Sequence, residues 1–117
     1  MRLLVCGSRH YSNRAHVCAV LDGIHREAPV TLVIHGACHL GGADILAEDW
    51  AKSRCVSYLG VPADKTRWPH AGPERNAKML TFNPDRVVAF PGQVGTSNMI
   101  ALARERGVPI TCAVEGG

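Results

Sequence analysis

Aromatic residues make up only 5% of this chain, and no block of like charge, internal repeat or low-complexity segment occurs in it. Few rings leave little stacking surface for single-stranded nucleic acid, and the missing basic stripe removes the electrostatic one, so a nucleic-acid partner is not expected. Long apolar runs are lacking too. Met1 to Cys6 gives way to Gly7-Ser8-Arg9 after a few apolar residues, short of a signal-peptide core or a membrane span, so neither a leader nor membrane contact is expected.

The five cysteines, Cys6, Cys18, Cys38, Cys55 and Cys112, are odd in number and form no C-x-x-C pair. They predict reduced thiols and a cytoplasmic protein. His35, Cys38 and His39 lie close in sequence, but no zinc-finger or H-E-x-x-H spacing accompanies them, and neither a metal nor a cofactor is expected. Cys38 beside His39 is a poor thiol nucleophile, because adjacent loop residues rarely share one direction.

What remains is 117 residues, 46% of them apolar, enough for one core and too few for two, so residues 1–117 are read as one domain. The net charge of +3 suits a few anion contacts. Leu3 to Cys6 is an apolar run ending at glycine, the pattern of a strand buried on both faces. Ser12 or Asn13 can cap a helix bearing Val17, Val20, Leu21 and Ile24, which Pro29 stops.

Thr31 to His35 reads as a second strand and Gly36 to Gly42 as a glycine-rich loop. Ala43, Leu46, Ala47, Trp50 and Ala51 mark a second helix, and Val56 to Leu59 a third strand. A long loop follows over 60–72, with Trp68, Arg67 and His70 able either to stack on a base or to cover a sheet edge. Pro73 suits the first position of a helix running to Leu80. After the Asn83-Pro84-Asp85 turn come a strand from Arg86 to Phe90, a second glycine loop, a helix from Ser97 to Arg106, and a strand from Pro109 to Val114.

This alternation predicts an α/β, three-layer, Rossmann-like fold with a mostly parallel five-stranded sheet in the order 3-2-1-4-5. The order reverses between the first and fourth strands, and the crevice at their carboxyl ends is where open α/β sheets bind ligands. Pro91-Gly92-Gln93-Val94-Gly95-Thr96 sits there, between a strand and a helix amino terminus. It reads equally as an anion cradle or as an ordinary turn with Thr96 as its cap.

Four segments taken together resemble the YspA-type branch of the SLOG superfamily. They are Gly7-Ser8-Arg9; His35-Gly36-Ala37 through Gly42-Ala43-Asp44; Ala71-Gly72-Pro73-Glu74-Arg75-Asn76 with Met79; and Pro91 to Thr96 with Met99. That superfamily is Rossmann-like, is associated with nucleotides and nucleotide-derived signals, and includes the phosphoribohydrolases once labelled lysine decarboxylases. The resemblance implies that Gly92, Gly95 and Thr96 cradle a phosphate, that Gly7, Ser8, Arg9 and Gly36 line the same crevice, and that Arg75 supplies a fixed positive charge. Asp44 is either a ribose-hydroxyl acceptor or a favourable acid in a first helical turn. Glu74 is a weaker acid-base candidate for the same reason.

The phosphoribohydrolases carry P-G-G-x-G-T-x-x-E. Here Gln93 replaces the second glycine and Met99 the glutamate, and methionine cannot move a proton, so that hydrolysis requires Glu74 or Asp44 as a substitute. The loop from His35 to Asp44 is a residue or two longer than typical, with Leu40 where a polar residue is often found. Three functions follow: a binder that senses or sequesters a nucleotide-type ligand; a nucleotide-processing N-glycosidic hydrolase; and an oligomerising interaction module. A homodimer or higher homo-oligomer is expected in each case.

Overall fold

The computed structural model describes residues 1–37, 41–64, 66 and 70–113. Strand β1 (Arg2–Cys6) is followed by helix α1 (Arg14–Glu27), β2 (Leu32–His35), α2 (Ala43–Ser53) and β3 (Ser57–Gly60). Helix α3 (Ala71–Leu80), β4 (Arg86–Ala89), α4 (Val94–Glu105) and β5 (Ile110–Cys112) complete the described fold. All five strands are parallel in one sheet of order β3-β2-β1-β4-β5. The fold is Rossmann-like, with the order and strand direction that the alternating pattern predicts.

Because strand side chains alternate, β1 serves two cores at once. Leu3 and Val5 pack with Val17, Leu21, Ile24 and Trp50 under α1 and α2. Leu4 and Cys6 pack with Met79, Leu80, Met99 and Ala103 under α3 and α4. Burial on both faces is why β1 reads as an unbroken apolar run from Leu3 to Cys6.

Several element ends differ from the sequence pattern. Asn13, rather than Ser12, caps α1, its side chain accepting from the His16 N–H at 3.1 Å. Helix α3 begins at Ala71, two residues before Pro73. The proline still lies in the first turn, where its missing N–H breaks no ladder bond. Helix α4 begins at Val94, so Gly95 and Thr96 belong to its first turn and the cap position falls to Gln93, which makes no side-chain cap bond. Val114, expected at the end of the fifth strand, lies outside the described residues. Among the described residues, no helix is long and apolar enough to cross a membrane.

Helices α1 and α2 are joined by a polar clamp. Trp50, 1% exposed, donates its indole N–H to Asp22 Oδ1 at 2.9 Å, and Arg54 grips the same carboxylate through Nε (2.9 Å) and Nη2 (2.8 Å). The Arg54 hydrogen bonds, followed by the Trp50 one, hold Asp22 down at about 2, from the ordinary 3.8. A carboxylate depressed by folding stabilises the fold above its unfolded value and loses that contribution as pH falls towards its folded value. Melting temperature should therefore drop between about pH 4 and pH 2 in the wild type. Asp22→Asn should show a shallower drop across that interval; an identical pH profile would remove Asp22 from the acid response.

Candidate functional site

The loops that follow β1, β2 and β4 meet at the carboxyl edge of the sheet, and Ser8 binds them together. Its N–H donates to the Pro91 carbonyl at 2.9 Å, and its own carbonyl accepts from Tyr11 at 3.1 Å and from Ala43, the first residue of α2, at 3.2 Å. The Ser8 hydroxyl oxygen accepts from the His10 N–H at 3.0 Å, so it holds its own turn. Two glycines make this junction possible. A Cβ on Gly7 would lie 2.7 Å from that of Ala43, and one on Gly42, which has φ +89°, would collide with Ser8 O and Arg9 Cα. The first position requires close packing, the second a left-handed backbone as well.

Under these loops opens a cavity of about 530 Å³, within the ~300–1,000 Å³ usual for small-molecule sites. Gly7, Ser8 and Arg9 line it from the β1 end, Gly36 and Asp44 from the β2–α2 segment, Arg75 from α3, and Gly95 and Thr96 from α4. Two of the expected residues stand elsewhere. Gly92 is not on this wall; it lies beneath Thr96, where a Cβ would collide with Thr96 Oγ1 and sit 3.1 Å from the Ser8 nitrogen. Its part is to let Thr96 fold back over the loop. Glu74 is exposed on the outer side of α3, away from the cavity lining.

Besides Arg9 at the β1 end, the electrostatics of the cavity come from three sources. Helix α4 starts its ladder with the bond from Ser97 N–H to Gln93 O (3.0 Å), so the amides of Val94, Gly95 and Thr96 precede it. The side chain of the cap residue Gln93 makes no cap bond, whereas Asn13 caps α1, whose amino end is not on the cavity. Gln93, Gly95 and Thr96 line the cavity, so the positive end of the α4 dipole borders it.

Arg75 is the second source. Its Nη1 donates to the Gly36 carbonyl at 2.8 Å and its Nε to Asn76 Oδ1 at 3.0 Å. Gly36 has no side chain in the way, for a Cβ there would stand 2.5 Å from Arg75 Nη1 and 2.9 Å from Asp44 Oδ2. The guanidinium and the Asp44 carboxylate thus share one glycine-made recess. Asp44 is the third source, and the only acid on the wall among the described residues.

Cys6 forms part of the floor. Burial first, then the charge of Asp44, push its thiol up to about 12, with Arg75 opposing. A thiol so shifted is not a nucleophile near neutrality. His35 is likewise committed: buried at 2% exposure, it faces Glu48 Oε1 through Nε2 at 3.0 Å and accepts from the Ala37 N–H through Nδ1 at 3.0 Å. An accepting Nδ1 assigns the proton to Nε2, and the ring fixes Ala37 at φ 52°. Among the described residues, no group of His, Cys, Asp and Glu could hold a metal ion. Cys38, His39, Leu40, Arg67 and Trp68 lie outside the described residues.

Sequence reading missed Asn76, Met79, Pro62 and Ala63 on the wall. For Asn76 a signal existed: α3 buries positions 71, 76, 79 and 80, so an amide stands on an otherwise apolar face. Pro62 and Ala63 lie in the long 60–72 loop, whose length marks a binding segment without saying which of its residues reach the wall.

Five parallel strands with a glycine-lined cavity at the point of strand-order reversal define a Rossmann-like α/β domain with its cavity where such sheets bind ligands. Residues 1–68 match the YspA, cpYpsA-related SLOG family, and the chain belongs to it. The matched stretch ends before α3, so the placement of Arg75 and the α4 turn stands on geometry. In fold, the chain is similar to tRNA N6-threonylcarbamoyladenosine dehydratase of E. coli, solved in complex with AMP, with a TM-score of 0.55 and 14% identity. That similarity covers 99% of this chain and 50% of the dehydratase, so the chain spans about half the length of that protein. None of the curated proteins matches the chain in sequence.

The state of Cys6 is directly measurable. Iodoacetamide at pH 8 should label the exposed Cys55 and Cys112 and leave Cys6 unmodified until the protein is denatured, as read by peptide mass spectrometry. Rapid labelling of Cys6 in the folded protein would contradict its burial.

Proposed function

We propose that this protein binds a phosphate-bearing, nucleotide-type ligand in the 530 Å³ cavity, with sensing or sequestration of that ligand as its role. One observation carries the reading: the uncapped first turn of α4, the Ser8–Arg9 turn and the Arg75 guanidinium line the same cavity. Amides ahead of a helix ladder and a planar guanidinium are the donors that phosphate oxygens select. Family membership supports the nucleotide class, and the AMP held by the structurally similar dehydratase is consistent with it.

Gly95 and Thr96 take the phosphate through their amides, and Ser8 and Arg9 close the near side. Gly92 supports Thr96 from below, and Gly7 and Gly36 supply space for the surrounding groups. Asp44 accepts a ribose hydroxyl. In this reading the 117 residues act as one domain in the cytoplasm.

The hydrolase alternative is narrower than the sequence suggests. Met99 is fully buried in the α3–α4 core and Glu74 lies off the wall, which leaves Asp44 as the candidate proton carrier. Asp44 shares the recess at Gly36 with Arg75, a place that suits a hydroxyl acceptor beside a phosphate-binding cation.

Calorimetry with AMP, ADP-ribose and inorganic phosphate tests the assignment. Arg75→Ala should weaken AMP binding by about tenfold to a hundredfold, the worth of a charge-assisted hydrogen bond. Asp44→Asn should weaken AMP but not inorganic phosphate, because only the nucleotide offers a ribose hydroxyl. Absence of measurable heat for all three ligands with the wild-type protein would overturn the proposal, and equal loss of AMP and phosphate in Asp44→Asn would remove the ribose contact.

A further inference from the structure

Asn76 is 4% exposed, on the face of α3 that also buries Met79 and Leu80. Its side chain reaches both walls of the cavity. Nδ2 donates to the Gly95 carbonyl and to Asn98 Oδ1, both at 3.0 Å, while Oδ1 accepts from Arg75 Nε at 3.0 Å. Arg75 in turn donates from Nη1 to the Gly36 carbonyl at 2.8 Å. A continuous hydrogen-bonded chain therefore runs from the β2–α2 segment through α3 to the first turn of α4.

The orientation of the amide has one solution. The Gly95 carbonyl can only accept and Arg75 Nε can only donate, so exchanging the Asn76 oxygen and nitrogen would break both bonds. Both amide hydrogens are spent within the protein, although the side chain borders the cavity. Stability alone does not require this: an apolar residue of similar volume would fill the space without desolvating an amide.

Neighbouring residues on a helix point in different directions, so the bond between Asn76 and Arg75 is not a default of helical geometry. It turns the guanidinium back across the helix towards Gly36. The same amide fixes the carbonyl of Gly95, whose own N–H is among the anion-facing donors. One side chain thus couples two donors that belong to different helices.

We propose that Asn76 is a positioning residue that sets the spacing and aim of Arg75 against the α4 turn. It is distinct from the ligand-contacting groups assigned above, and its role rests on the binding reading given there. A guanidinium ordered before the ligand arrives loses less side-chain freedom on binding, which is the gain from this arrangement.

The test uses the full 15N-labelled chain with AMP and inorganic phosphate as probes, comparing wild type, Arg75→Ala, Asn76→Asp and the double variant. Asn76→Asp is nearly isosteric and keeps an acceptor for Arg75 Nε, but it sets a carboxylate oxygen against the Gly95 carbonyl. In the ligand-free variant the Arg75 Nε–H signal should persist while the Gly95 and Thr96 amide signals shift. AMP affinity should fall roughly tenfold, and the double variant should be no weaker than the larger single effect, as for coupled residues. Asn76→Ala cuts both links without burying a charge and serves if the aspartate variant does not fold; it should broaden the Arg75 Nε–H signal as well.

Unchanged Gly95 and Thr96 signals in the ligand-free variant overturn the coupling by themselves. Wild-type affinity in the Asn76 variants, or losses that add fully to those of Arg75→Ala, overturn the positioning role while leaving ligand binding intact. If neither probe moves the wild-type Gly95 and Thr96 signals, the binding reading itself fails and the role falls with it.

Discussion

The backbone of Ser8 is the constraint on which the site depends. A single residue at the tip of β1 donates to the loop after β4 and accepts from the first amide of α2. Each partner comes from a different βα unit, so the three loops are fixed relative to one another and not merely to their own strands. The requirement propagates outward. Gly7 must lack a side chain for Ala43 to approach, and Gly42 must take a left-handed backbone to pass over Arg9.

Fixing the loops fixes charge. The start of α4 is held open and uncapped, α3 brings a guanidinium towards it, and α2 places a carboxylate in the same recess. The result is a space that brings amide and guanidinium donors together with one carboxylate acceptor. Burial that raises the Cys6 thiol keeps the floor neutral, so the field in the cavity is set by Arg9, Arg75, Asp44 and the helix end. His35 shapes its turn, and Glu74 lies off the cavity wall.

Much of this was legible in the residues, for identifiable reasons. Strands buried on both faces are continuous apolar runs, so Leu3 to Cys6 and Arg86 to Phe90 stood out, and alternation with helical spacing determined the strand order. Gly95, Thr96, Arg75 and Asp44, singled out because their segments resemble a family whose crevice lies at that edge, line the cavity. Helix starts were less legible. Capping chemistry suggested Thr96 as a cap, yet α4 begins two residues earlier without one, because the turn is held by Ser8 and Pro91 from outside the helix. Gly92 stands off the cavity wall and against Thr96: glycine signals close approach, but not whether a ligand or a neighbouring threonine makes it. Asn76 was quoted within a motif and given no role, since only packing shows that its amide spans two helices.

The central claim is spatial, so the decisive measurement is a crystal structure of the protein grown with AMP. The account predicts the phosphate within hydrogen-bond distance of the Gly95 and Thr96 amides and of the Arg75 guanidinium, with a ribose hydroxyl at Asp44. A phosphate seated on another surface, or a cavity filled by side chains while AMP stays in solvent, would contradict it.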